Sequence, residues 1–305
     1  MLVARANAKI NLGTEILGRR PDGFHEVVTV LQQVNFGDRL TFQESSDLSL
    51  TTTEPALMTE TNLVWRAASS FRALVDTYRG ATIHLEKVVP LAAGLGGGSA
   101  DAAVTLLALN NLWQLNQPME SLATVAKSLG SDVPFFLRGG TQLATGRGDV
   151  LEPLPTPLFW AVLVITRASV GDKTRRLYEA LRPADYTDGG QTMLAATCLR
   201  FGRPIDYRKA KSGFQRVTLD LFPDLESTFD AVEADGGTPI VCGAGPTVMS
   251  LHGGESEAET LAGRLRRRGL EARVVQPVPP DDWRRCDSMS QQIQPSDRPE
   301  RIDRS

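Results

Sequence analysis

The chain has 305 residues, 41% of them hydrophobic and 23% charged, and a formal net charge of −3. This length allows two domains of ordinary size with substantial cores, and the slight negative charge gives no general attraction to nucleic acid or anionic membranes. The longest apolar run, 158–165, is too short to span a bilayer.

The cysteines and the N-terminus both point to a reducing compartment. Cys198, Cys242 and Cys286 are odd in number and lack metal-ligand spacing. Polar sequence begins by residue 7, which leaves no room for the apolar core of a signal peptide. We therefore expect a soluble cytoplasmic protein.

Residues 7–13 alternate between polar and apolar side chains. A period of two is typical of a half-buried strand, so Lys9 and Asn11 project from the same face. Such a row is commonly a solvated outer face, although two asparagines flanking a lysine are unusual in a strand. The residues alone leave both interpretations open.

A turn is predicted at residues 21–23, which read Pro-Asp-Gly. Proline fixes φ, the aspartate side chain caps the turn, and glycine admits the remaining conformation. The turn delivers Phe24 and His25 on a loop tip, where they could stack on and hydrogen-bond a flat ring. Alternatively, Phe24 packs in the core and His25 is only solvated.

Strands are predicted over 27–36 and 39–43, joined by a hairpin turn at Gly37-Asp38. An amphipathic helix is predicted over 62–78. A strand over 81–88 then leads into a glycine-rich stretch. Lys87, near the end of that strand, either reaches a phosphate or lies in solvent.

The glycine-rich stretch holds four glycines between Gly94 and Gly98, followed by Ser99 and an Ala- and Leu-rich helical segment over 100–113. A glycine turn that opens a helix presents free N–H groups at the positive end of the helix dipole, and this arrangement binds phosphate. The spacing fits neither a Walker A loop nor a dinucleotide fingerprint. The alternative is a flexible surface turn.

A second short helix is predicted over 118–129, ending at Gly130. Asp132, two residues before Pro134, is a good N-cap for a further helical turn. Residues 141–152 have the pattern of a hairpin. Prolines at 153, 155 and 157 interrupt any regular element, so we place a domain boundary there.

The second half begins with a buried strand over 158–165 and continues with predicted helices over 174–181, 192–200 and 222–234. A second glycine turn lies within 238–251. A helix is predicted over 255–268, with acids in its first turn and arginines at its end, as the helix dipole favours. From Pro277 onward the sequence is polar and proline-rich, and we expect disorder.

The order of these motifs resembles that of the GHMP kinases, over roughly residues 4–275. The motifs are Ala8-Lys9-Ile10-Asn11-Leu12, Gly18 to His25, Pro90 to Ala103, Gly130-Ser131-Asp132-Val133-Pro134 and Gly243-Ala244-Gly245-Pro246-Thr247. The resemblance implies an α+β fold of two domains. These are an N-terminal α/β catalytic and ATP-binding domain over 1–154 and a C-terminal ferredoxin-like domain over 155–276, with 277–305 as a tail.

The resemblance also implies a function, namely ATP- and Mg²⁺-dependent phosphorylation of an alcohol on a small molecule, with no nucleic acid or membrane partner. Asp132 matches the catalytic base, and Lys9 matches the lysine that orients it and stabilises charge. The implied ATP-binding residues are Lys87, Pro90, Ala92, Gly94, Leu95, Gly96, Gly97, Gly98 and Ser99, with Ser99 also at the metal. The implied substrate-binding residues are Asn11, Phe24, His25, Asp132, Thr174 and Tyr178, with Phe24 and His25 recognising a cytosine ring.

Several positions depart from the pattern of the family, and most of them lie in the second half. They are Phe24 in place of Tyr, Cys242 and Ala244 in the second glycine turn, Asp172-Lys173 in place of Val-Ser, and Ser212-Gly213-Phe214-Gln215 in place of Asn-Asp-aromatic-Glu. Two other interpretations stay open. One is a GHMP kinase for homoserine, mevalonate or a sugar, and the other is a catalytically silent binding protein, which should have lost Lys9 or Asp132.

Overall fold

The computed structural model describes residues 1–280 except 167 and 169. The strands are β1 Leu2–Arg19, β2 His25–Ser45, β3 Ser49–Thr52, β4 Gly80–Glu86, β5 Thr141–Thr145, β6 Val150–Leu154, β7 Trp160–Val164, β8 Ile240–Val241, β9 Val248–His252 and β10 Ala272–Val275. The helices are α1 Leu63–Leu74, α2 Gly97–Leu112, α3 Met119–Leu129, α4 Val133–Arg138, α5 Lys173–Glu179, α6 Gly190–Arg200, α7 Gln215–Leu221, α8 Leu225–Ala234 and α9 Glu255–Arg267. Within this described part, no helix combines the length and apolarity needed to cross a membrane.

The first sheet is built on the long antiparallel ladder between β1 and β2. Its order is β3-β4-β2-β5-β6, with β1 paired to β2. The predicted turn at 21–23 joins the two strands, and the ladder closes with Arg19 opposite His25. Helices α1 to α4 pack against this sheet in a buried cluster that includes Phe71, Trp113 and Phe135.

The hairpin turn predicted at Gly37-Asp38 is wrong, because β2 runs through both residues. A Cβ on Gly37 would lie 2.3 Å from the backbone oxygen of Ala6 on β1, so this glycine permits close strand pairing. The Asp38 side chain is buried and accepts hydrogen bonds from the N–H groups of Val88 and Val89, at 2.5 and 2.8 Å. Both residues therefore serve long-range contacts.

The second sheet has the order β10-β7-β9-β8, and every neighbouring pair is antiparallel. With helices between β7 and β8 and again between β9 and β10, this is the ferredoxin-like arrangement that the resemblance implies. Helices α8 and α9 pack against this sheet. Ile10 and Leu12 of β1 share another buried cluster with Leu163 of β7 and Met249 of β9, so the two sheets pack on each other.

The chain passes from the first sheet to the second between Leu154 and Trp160. The predicted domain boundary between residues 154 and 155 itself stays a prediction. The helix predicted over 222–234 is shorter in the structure, since α7 ends at Leu221 and α8 begins at Leu225. Pro223 lies between them and cannot continue a helical hydrogen-bond pattern.

Residues 277–280 follow β10 and lie against β2. The N–H of Val278 donates to the backbone oxygen of Gln33 at 2.8 Å, and the Val278 side chain is buried. Pro277 pairs with Val34. The expectation of disorder from Pro277 is therefore wrong for these four residues, because one buried valine and backbone hydrogen bonds hold them. Residues 281–305, with Cys286, lie outside the described residues.

Candidate active site

A cavity of about 590 Å³ lies between elements of the two sheets. Its walls come from β1, β2, the loop before α2, the residue before α4, helix α5 and the second glycine turn. Its lining residues include Lys9, Asn11, Thr29, Ala92, Gly94, Gly96, Arg147, Asp132, Asp172, Lys173, Thr174, Arg175, Tyr178, Gly243 and Ala244. Motifs far apart in the sequence therefore meet at one place.

Lys9 and Asn11 are buried on the cavity side of β1. The ammonium of Lys9 donates to Oδ1 of Asn11 at 2.9 Å, and Nδ2 of Asn11 donates to Oγ1 of Thr29 on β2 at 2.8 Å. Thr29 in turn donates to the backbone oxygen of Gly13 at 2.7 Å. Each side chain is 6% exposed, so the solvated-face interpretation is wrong. The chain of hydrogen bonds fixes the amide of Asn11 and the position of the Lys9 ammonium.

Asp132 lies at the N-cap position of α4 without acting as a cap. Its backbone has φ −86° and ψ −14°, and its side chain accepts no hydrogen bond from the helix N–H groups. A capping residue normally has an extended backbone that turns its side chain toward those groups. The Asp132 side chain instead lines the cavity with Lys9. Its predicted role as the base stays a prediction.

The glycine loop before α2 is shaped by its packing. Gly94 and Gly96 have φ of +84° and +71°, and a Cβ on Gly96 would lie 2.8 Å from the ring of Phe136. Helix α2 begins at Gly97, earlier than predicted, so the N–H groups of Gly97 to Ser99 belong to its open first turn. The loop is therefore a formed turn at the positive end of a helix, as predicted.

Other residues of the predicted ATP site have different surroundings. Leu95 is 1% exposed, and its backbone oxygen accepts from the N–H of Lys9 at 2.9 Å, which ties the loop to β1. Gly98 is exposed, and a Cβ there would have only Leu63 nearby, at 3.6 Å. Pro90 is half-buried. Ala92 is exposed and lines the cavity.

Lys87 lies beneath the glycine loop and not in solvent. Its ammonium forms ion pairs with Asp38 and with Asp101, the latter at 3.1 Å. Burial and the Asp38 carboxylate raise the pKa of Asp101 well above its usual value, against the attraction of Lys87. Two buried acidic side chains thus already engage this ammonium, which lies 3.1 Å from where a Cβ on Gly97 of the loop would be. That Lys87 binds ATP stays a prediction.

His25 lies among aromatic side chains at the edge of the cavity. Its ring stacks on Tyr178, with centroids 5.0 Å apart, and Nε2 lies 3.4 Å from the hydroxyl of Tyr186. Burial and the charge of Arg19 lower the pKa of His25, so the imidazole is neutral at pH 7. Burial and the charge of Asp132 raise the pKa of Tyr178 to about 12, so its hydroxyl keeps its proton.

Phe24 and Thr174, also predicted to bind substrate, differ in position. Phe24 is 54% exposed on the loop tip, which excludes the core interpretation, and the guanidinium of Arg147 lies 4.6 Å from its ring centroid. It does not line the cavity. Thr174 does, one helical turn before Tyr178 on α5.

Sequence reasoning missed Lys173, which it treated only as a departure from the family's pattern. Its side chain is buried, and its ammonium donates to the backbone oxygens of Ala92, at 2.5 Å, and Gly245. Burial and the charge of Lys9 lower the pKa of Lys173 to about 8. A charged residue beside the predicted substrate residue Thr174 was the available signal. Tyr186 was also missed, since nothing nearby in sequence links it to His25.

Of the two unusual residues in the second glycine turn, only one faces the cavity. Ala244 lines it, whereas Cys242 is fully buried and burial raises the pKa of its thiol. Gly243 has φ +55° and comes close to Lys9 and Asn11. The turn thus contributes backbone, not reactive side chains, to this part of the site.

Comparison with known proteins extends the resemblance to nearly the whole chain. The family described as GHMP kinases N terminal domain matches residues 62–140. A 4-diphosphocytidyl-2-C-methyl-D-erythritol kinase of Dehalococcoides mccartyi is 35% identical over 287 residues, covering 92% of this chain and 100% of the relative. A relative of the same name from Pelotomaculum thermopropionicum is 38% identical over 286 residues, covering 92% and 99%. A crystal structure of a 4-(cytidine 5'-diphospho)-2C-methyl-D-erythritol kinase matches with a TM-score of 0.78 at 32% identity, covering 90% and 99%.

Proposed function

Because this chain belongs to the 4-diphosphocytidyl-2-C-methyl-D-erythritol kinases of the GHMP superfamily, we propose that it transfers the terminal phosphoryl group of ATP to the tertiary hydroxyl of 4-diphosphocytidyl-2-C-methyl-D-erythritol. The reaction serves the non-mevalonate route to isoprenoid precursors. The observation that carries the proposal is the meeting of Lys9, Asp132 and the glycine loop in one cavity.

Asp132 is the proposed general base. Phosphoryl transfer needs little covalent chemistry, so alignment and neutralisation of charge are what the protein supplies. The Asp132 carboxylate lines the cavity and is not engaged with the end of α4, so it is available to take the proton of the acceptor hydroxyl. Lys9 orients that carboxylate and stabilises negative charge on the transferred group. Asn11, held between Lys9 and Thr29, helps to position the acceptor.

The first turn of α2 is the proposed cradle for the ATP phosphates. Its N–H groups and the helix dipole favour negative charge there. In the described ranges, no group of three His, Cys, Asp or Glu could hold a metal ion by itself. This fits Mg²⁺, which proteins bind through few side-chain oxygens together with substrate phosphates and water. The Ser99 hydroxyl would be one such oxygen, and the bound ion would neutralise charge on the phosphates.

The aromatic group around His25 is the proposed site for the cytosine ring. The neutral imidazole has one donor and one acceptor nitrogen, which suits the mixed hydrogen-bonding edge of a base. Tyr178, stacked on His25, joins this group to the cavity. Phe24 lies on the tip beside it and offers an exposed ring face.

The test of the base is Asp132→Asn. Asparagine is as good an N-cap as aspartate, and the carboxylate makes no capping bond here, so the free energy of unfolding should change by less than about 1 kcal/mol. The amide cannot accept the proton, so we expect kcat to fall about 10²–10⁴-fold while ATP affinity holds. Lys9→Ala should lose a similar factor, and the double variant far less than the product, since the two groups act as a unit.

The matched control is Asp224→Asn, because Asp224 also lies at an N-cap position without a side-chain capping bond, on α8. It should leave both kcat and stability unchanged. A fully active Asp132→Asn protein would remove Asp132 from the mechanism.

The test of the substrate is ADP release from ATP with different acceptors. We expect turnover with the diphosphocytidyl compound and none with homoserine, mevalonate or galactose. Turnover only with an acceptor that lacks cytidine would refute the assignment.

A further inference from the structure

Lys173 joins two backbone turns that belong to different parts of the fold. Its ammonium donates to the backbone oxygen of Ala92, at the start of the glycine loop, at 2.5 Å, and also to that of Gly245 in the second glycine turn. The side chain is 8% exposed. Lys173 is the first residue of α5, so one helix end reaches both turns.

The two turns are packed too closely for side chains between them. A Cβ on Gly94 would lie 2.7 Å from the backbone oxygen of Cys242 and 2.8 Å from that of Gly245. The N–H of Thr247 donates to the backbone oxygen of Ala93 at 3.3 Å. The backbone oxygens of Ala92 and Gly245 therefore lie close together, and the positively charged Lys173 ammonium stabilises both by donating a hydrogen bond to each.

The backbone around this contact is held in unfavourable conformations. Ala92 and Asp172 have φ of +56° and +54°, in the left-handed region that residues with a Cβ rarely adopt. Such conformations persist only where surrounding interactions fix them. The Lys173 ammonium, one residue after Asp172, is one such interaction, because it binds the backbone oxygen of Ala92.

We propose that Lys173 is a positioning residue for phosphoryl transfer: by holding the Ala92 carbonyl against the Gly245 carbonyl, it sets the orientation in which the glycine loop receives the ATP phosphates. This inference rests on the proposed function, because it takes the glycine loop to be the phosphate cradle.

The charge that makes this contact titrates in an accessible range. Burial and the charge of Lys9 lower the pKa of Lys173 to about 8. Among the described residues, the other charged or titratable groups around it are, in the cavity, Lys9, Asp132, Arg147, Asp172, Arg175 and Tyr178, and, behind it, the Cys242 thiol. The pKa of Tyr178 is raised to about 12 and that of Cys242 is raised above its usual value. A change in ATP affinity between pH 7 and 9 that is absent in Lys173→Arg therefore reports on Lys173.

The experiment is calorimetric titration of the protein with a non-hydrolysable ATP analogue at pH 7 and pH 9. For the unmodified chain we expect the Kd to rise about tenfold between these pH values, as the charge-assisted hydrogen bonds are lost. Lys173→Met should have the weaker Kd at both pH values. Lys173→Arg keeps its charge at both pH values, so its Kd should be the same at pH 7 and pH 9. This variant tests the proposal even if Lys173→Met fails to fold.

The matched control is Arg176→Met, which removes an exposed cation from the same helix and outside the cavity. Its Kd should follow that of the unmodified chain. The role of Lys173 is refuted if Lys173→Met binds the analogue like the unmodified chain. It is also refuted if this variant has a lower melting temperature but its Kd still changes with pH as in the unmodified chain. In both cases the proposed function stands. If the unmodified chain does not bind the analogue at all, both fail.

Discussion

Gly243→Ala tests whether the position of the Lys9–Asn11 pair governs catalysis. The added Cβ would lie 3.0 Å from Nζ of Lys9, 3.1 Å from Oδ1 of Asn11 and 3.1 Å from the backbone oxygen of Gly94. Each distance is a few tenths of an ångström too short, so the pair must shift. Misplacement of that order at a reacting centre costs roughly ten- to a hundredfold in kcat, or about 1.4–2.7 kcal/mol of barrier.

The backbone strain of the same substitution can be measured separately. Gly243 has φ +55°, where alanine costs about 1–2 kcal/mol. Gly202 has a similar φ, +63°, but a Cβ there would meet nothing within 4 Å. Gly202→Ala therefore carries the strain without the contacts.

The assay is urea unfolding together with steady-state kinetics of both variants. We expect Gly202→Ala to lose about 1–2 kcal/mol of unfolding free energy from backbone strain, and Gly243→Ala to lose at least as much because of its added contacts. Only Gly243→Ala should lose kcat. Equal kcat in the two variants would show that the Lys9–Asn11 geometry does not limit the reaction.

Three further predictions concern recognition, the phosphate loop and the buried charges. His25→Ala should cost about 1–3 kcal/mol of binding free energy, measured as a raised KM for the cytidine-linked acceptor with an unchanged KM for ATP. An equal rise in the two KM values would indicate a structural role for His25. Gly98→Leu adds a side chain at an exposed position where a Cβ would have only Leu63 nearby, at 3.6 Å. The melting temperature should therefore stay the same while the Kd for ATP rises. An unchanged Kd would exclude the loop as the phosphate-binding site. Lys87→Met leaves the Asp38 and Asp101 carboxylates buried without their cation and should cost about 3–5 kcal/mol at pH 7. Burial already raises the pKa of Asp101, so this deficit should shrink as the pH falls toward 5 and Asp101 binds a proton. A deficit of the same size in urea unfolding at both pH values would contradict the reasoning.

Local patterns in the sequence were sufficient for the parts of the site that depend on neighbours in the chain. The period of two over 7–13 placed Lys9 and Asn11 on one face, and the structure joins them by a hydrogen bond of 2.9 Å. The glycines before the Ala- and Leu-rich segment predicted a loop that opens a helix, which α2 confirms. The turn at 21–23 was predicted from residues that carry their own backbone preferences.

Where the structural role of a residue depends on what packs against it, the sequence was ambiguous or misleading. Gly37-Asp38 has the composition of a turn, yet Gly37 admits the backbone of Ala6, and Asp38 accepts hydrogen bonds from residues 50 and 51 positions away. A lysine is most often a surface residue, yet Lys87 pairs with two buried carboxylates. In both cases the partner lies far along the chain, and tertiary contacts override local preference.

The sequence by itself thus determined a glycine turn that opens a helix and the strand face that carries Lys9, because strand period, helix signals and glycine turns are local properties of the chain. The two-domain fold class came from the resemblance of the motifs to those of the GHMP kinases. Only the tertiary structure decided that Asp132 lines the cavity without capping α4, that His25 lies between Tyr178 and Tyr186, and that Lys173 joins the two glycine turns. These arrangements are set by the packing of the second sheet and its helices on the first, which brings together residues separated by 72 to 161 positions. No local pattern encodes such a meeting, because each side chain keeps the same intrinsic preferences whichever partner the fold supplies.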